Sequence, residues 1–110
     1  MRSGAARFNR DMGAGYIGIL SVELLFPESH SLKEKRMHLR SAKAQLQNRI
    51  GASVAEVDHH EVWQRSRITL SCVAREYREA ERLLAEAERW LAGQAWELGR
   101  IERDVVTLDD

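Results

Sequence analysis

At 110 residues the chain has the size of one domain, large enough to bury most of its apolar surface without disulfide staples. Its 44% hydrophobic and 31% charged residues are ordinary for a globular protein, and a formal net charge of zero excludes simple whole-protein attraction to nucleic acid or an anionic membrane. The single cysteine, Cys72, excludes an internal disulfide framework and suits a reducing cytoplasm, and no apolar run reaches the length of a signal core or a membrane span.

Residues 1–15 carry Gly4, Gly13 and Gly15 among scattered Arg2, Arg7 and Arg10, without periodicity. They are expected to form a flexible arm ahead of one domain over residues 16–108. Met12 is an alternative start that would leave the domain complete, so the arm is expected to be dispensable; its other reading is a basic arm that touches phosphates.

Tyr16–Phe26 alternates with apolar residues on both faces, which predicts a central strand. Pro27 ends it, and Ser31 with Glu34 three residues on has the spacing of a capping box. A helix over Ser31–Ile50 follows, with Leu32, Leu39, Ala42, Leu46 and Ile50 as its apolar stripe and Gly51 placed to stop it. That helix holds six cations against the single acid Glu34, a local +5 in a neutral chain. Ala52–Asp58 and Arg67–Ala74 read as second and third strands, joined by a loop over His59–Ser66 that contains Trp63. Ile68, Leu70, Cys72 and Ala74 face inward on the third strand. Arg75–Ala92 reads as a second helix with Tyr77, Ala80, Leu84, Ala87 and Leu91 inward. Glu97–Leu108 is a last strand whose alternation slips near Gly99–Arg100, as at a bulge. With right-handed crossovers, this order predicts an α+β, ferredoxin-like βαββαβ sandwich: an antiparallel sheet with two helices on one face.

Four blocks carry a resemblance: Ile17–Leu24, Ser31-Leu32-Lys33-Glu34-Lys35-Arg36, Val54–His59 and Trp63-Gln64-Arg65. Together they resemble the YlxP-like family, small bacterial proteins classed as a domain of unknown function, over about Tyr16 to Val106. The resemblance implies a ferredoxin-like fold. Members are often encoded beside translation-initiation and ribosome-maturation factors, which implies an RNA or ribosome partner. It implies no catalytic residues.

Lys33, Arg36, Arg40 and Lys43 fall on one flank of the first helix at i, i+3 and i+4 spacing, where they could grip phosphates or simply form a solvated face. Lys33 and Lys35 stand near the helix N-terminus, where its dipole disfavours cations, so stability alone would not choose them. Trp63 and Arg65 offer stacking and hydrogen bonding to a base, against the plainer reading of a Trp that anchors its loop. Asp58-His59-His60-Glu61 gathers carboxylates and imidazoles, but adjacent residues of an extended chain point to opposite sides, so at most two could converge and no metal or other cofactor is expected. Cys72 reads as a structural thiol, with no imidazole placed to activate it. Outward positions of the central strands lack the aromatics of an RNA-recognition motif; instead Ile17, Ile19 and Val73 suggest sheet-to-sheet homo-oligomerisation. The expectation is therefore a non-catalytic cytoplasmic protein that binds RNA or the ribosome through its first helix. The alternative is a homo-oligomeric regulatory or interaction module for a protein or small ligand.

Overall fold

Alternating burial along Tyr16–Leu25 sets the architecture, because Leu20, Val22 and Leu24 are fully covered while Ile17, Ile19, Ser21 and Glu23 turn to the other side. This strand, β1, is the centre of a computed structural model that describes residues 13–109. After it come α1 (Leu32–Ile50), β2 (Ser53–Asp58), β3 (Arg65–Ala74), α2 (Tyr77–Ala92) and β4 (Glu97–Val106). The four strands form one antiparallel sheet in the order β2-β3-β1-β4, which leaves β2 and β4 as edges. The fold is α+β and ferredoxin-like, with both helices on one side of the sheet.

The core lies between that side and the helices. Leu39, Ala42 and Leu46 of α1, with Leu84, Ala87 and Leu91 of α2, meet Leu20, Val22, Ile68 and Leu70 of the sheet. Ser31 caps α1 by accepting the Glu34 N–H at 3.1 Å, and Glu34 returns a bond to the N–H of His30 at 2.6 Å. The expected return bond to Ser31 is thus shifted by one residue. Gly51 ends α1 in the left-handed region that favours glycine, with φ at 65°. The expected bulge appears as a register shift opposite Val22–Leu24, where Gly99 and Arg100 are passed over. The β3 strand begins two residues earlier than expected, at Arg65. Tyr77, expected in the core of α2, is 49% exposed because it opens the helix and packs edge-on against the ring of Tyr16.

Most of the predicted arm, residues 1–12, lies outside the described residues. Its last residues are tied to the far end of the domain: Ala14 N–H donates to Asp109 at 3.1 Å, and the Thr107 hydroxyl donates to the Gly15 carbonyl at 2.8 Å. Among the described residues, no helix is long and apolar enough to cross a membrane.

Candidate functional site

The inward stripe of α1 has one gap in its apolar residues, between Leu32 and Leu39. Lys35 fills it, three residues after the first and four before the second, and its side chain is completely buried. Contrary to the expectation from the helix dipole, this lysine has a structural partner of its own. Its Nζ donates to Glu56 Oε2 at 3.0 Å and to the carbonyls of His59, Arg65 and His60 at 2.7, 3.1 and 3.3 Å. An ammonium has three protons, so four oxygens share them. Glu56 Oε2 also accepts from the Ser66 hydroxyl at 2.7 Å, and Oε1 lies 3.5 Å from His60 Nδ1. Burial pushes the Glu56 carboxyl up, but the Ser66 hydroxyl and the Lys35 ammonium outweigh it and hold the group below its ordinary range.

Lys35 therefore pins the β2–β3 loop beneath the first turns of α1. The loop is tied elsewhere as well. Gln64 donates through its side chain to the carbonyls of Ser29 and Pro27 at 3.3 and 3.4 Å, and its own carbonyl accepts the Phe26 N–H at 2.9 Å. His59 adopts φ of 66°, a left-handed conformation that histidine tolerates better than most residues, and its carbonyl also accepts the Val62 N–H at 3.1 Å. On this fixed loop Trp63 stands 46% exposed.

Lys33, Arg36, Arg40 and Lys43 are all exposed on α1. None of them takes part in an ion pair among the described residues, whereas Arg65, Arg67, Arg100 and Arg103 are each paired. The opposite flank of α1 faces α2: His38 stacks on Phe26 and meets Trp96 edge-on, and Arg49 lies over the Trp90 ring. The cationic flank thus looks outward past the β2 edge, where Lys43 and Gln47 border a shallow hollow with Ser53 and Val54.

Arg65 does not join these cations. Its side chain leaves the opposite, open face of the sheet and donates through Nε to Glu23 at 2.7 Å, and this bond lowers the Glu23 carboxyl below its ordinary range. Arg67 on the same face pairs with Glu102 and donates to the Ser21 hydroxyl at 3.0 Å, and Ser21 shares a 2.8 Å hydrogen bond with Thr69. The other end of the open face is apolar. Ile17 pairs in register with Val73 on one side and Val106 on the other, and the three are 41, 74 and 39% exposed. Ile19 beside them is half-buried. Cys72 is buried, and burial pushes its thiol up.

Two features thus define the site: an outward cationic flank, and an exposed Trp on a loop locked to the same helix. A family described as a protein of unknown function, DUF503, matches residues 17–104. The uncharacterized protein YlxP of Bacillus subtilis (strain 168) is 29% identical over 90 residues, with 73% of this chain and 98% of that protein covered. Among solved structures, the de novo designed protein Ferredog-Diesel is similar with a TM-score of 0.44 and 20% identity, covering 80% of this chain and 85% of the designed one. A REP-associated tyrosine transposase bound to a REP hairpin gives a TM-score of 0.40 at 13% identity, over 86% of this chain and 58% of that one.

Proposed function

The chain belongs to the DUF503 family of proteins of unknown function, and we propose for it a non-catalytic, cytoplasmic role in which the exposed flank of α1 holds the phosphates of an RNA, free or in the ribosome. The observation that carries this reading is the four cations Lys33, Arg36, Arg40 and Lys43, aligned on one flank without an ion pair among the described residues. A solvated face needs no such segregation. Elsewhere the molecule interleaves acids with its arginines, as on the open sheet face.

Fluorescence anisotropy with a structured ribosomal RNA fragment tests it. If four phosphates are neutralised, affinity is expected to fall roughly fifty-fold between about 50 and 200 mM salt, from a slope of about −0.7 per phosphate. The double reversal Arg36→Glu/Arg40→Glu is expected to abolish binding at the lower salt. Binding by that variant as tight as wild type would sink the proposal.

A second reading, self-association through the open sheet face, is favoured by the exposed row Val73–Ile17–Val106.

A further inference from the structure

An exposed tryptophan on a surface loop is usually explained by mobility, but this loop is fixed from both ends. The Lys35 ammonium holds the carbonyls of His59, His60 and Arg65. Gln64, next to Trp63, is fastened to the β1–α1 turn through its side chain and its carbonyl. Trp63 nevertheless keeps 46% of its surface in water. A rigid loop that presents an indole to solvent forgoes the burial that would normally repay so large an apolar group. It has also already met the ordering cost that a stacking platform would otherwise meet on binding.

The platform belongs to the same locality as the cations. Lys35 lies between Lys33 and Arg36 in α1, and the carbonyl of His60 that it holds is three residues from Trp63. Three residues reach at most about 11 Å. The Trp63 loop and the first cations of the flank thus stand at the same, N-terminal end of α1.

Resting on the phosphate-binding reading above, we infer that the ligand is RNA with unpaired nucleotides: the α1 flank holds its backbone, one splayed base stacks on Trp63, and Lys35 is the positioning residue that holds the platform. A base within a duplex keeps its face against its neighbours, whereas an unpaired base can turn it to an indole. Lys35 touches no RNA in this scheme; it acts through the loop.

The test is anisotropy at about 50 mM salt with an unstructured labelled RNA strand, and with the same strand annealed to its complement. Wild type is expected to prefer the single strand. Trp63→Ala is expected to lose roughly tenfold for the strand, the order of one stacked base, with little change for the duplex and none in salt slope. Lys35→Met, where its melt stays cooperative, is expected to lose the same strand preference, and the double variant is expected to lose no more than either single one. A general loss of structure would weaken strand and duplex alike. If Lys35→Met does not fold, Trp63→Ala decides by itself. Equal affinity for strand and duplex, or an unchanged affinity in Trp63→Ala, overturns the inference while a flank-dependent salt slope leaves the phosphate reading standing. Failure of wild type to bind either probe overturns both.

Discussion

A buried ammonium is tolerated in this core only because oxygens replace its water. Removing Lys35 would leave the mostly covered Glu56 carboxylate and three carbonyls short of a donor. Lys35→Met is therefore expected to lower the unfolding free energy by about 3 kcal/mol in urea titration. Adding Glu56→Leu should recover part of that loss, because the second change removes the stranded charge. The pair also sets a pH dependence. Glu56 has its carboxyl lowered in the folded protein, so its contribution is fully present above the ordinary value of 4.5 and is lost as pH falls through the lower folded value. An acid titration of stability should thus be steeper between 4.5 and that lower value for wild type than for Glu56→Gln. Lys35 was legible in position but not in role. Its place in the Leu32–Leu39 gap follows from helical spacing alone, yet the four oxygens that justify burial come from β2, β3 and their loop, residues 21 to 30 positions away. No local pattern announces them. Trp63 was legible as a loop residue, while its exposure on a rigid loop depends on those same distant bonds.

Strands and helices were more readable, because each carries its own period. The alternation in β1 and β3 marks which residues face the helices, and the Ser31 and Gly51 caps mark the ends of α1. The start of β3 was hidden because Arg65 and Ser66 are polar. One serves the open face through Glu23, and the other is buried against Glu56. What no period reveals is how closely two elements approach. Gly18 in β1 lies directly beneath Leu84 of α2, and a Cβ there would come within 3.0 Å of the leucine Cγ. Gly18→Val is expected to push α2 from the sheet and cost about 1–3 kcal/mol, read as a lower midpoint in thermal or urea unfolding. An unchanged midpoint would mean that the two layers have slack that their packing does not suggest.

A net charge of zero conceals a molecule with two very different sides. The open sheet face pairs its arginines Arg65, Arg67 and Arg100 with acids, and its apolar row at the Ile17 end is where the second reading would seat another copy. If that face joins two copies, sedimentation should show a species larger than the monomer, and Val73→Arg should return it to the monomer without disturbing its melt. A wild-type protein that sediments as a monomer at micromolar concentration would dismiss the second reading. The α1 flank carries Lys33, Arg36, Arg40 and Lys43 without an ion pair among the described residues, beside β2, whose outer backbone groups have no neighbouring strand among those residues. An edge of that kind is a template on which another chain could extend the sheet. Two molecules that met edge to edge there would bring their rows of lysine and arginine together, within the ~10 Å over which charge is felt at 0.1 M salt. The row that would attract a polyanion also keeps like molecules apart, and a polyanion lying across it would remove the repulsion while shielding the strand beneath.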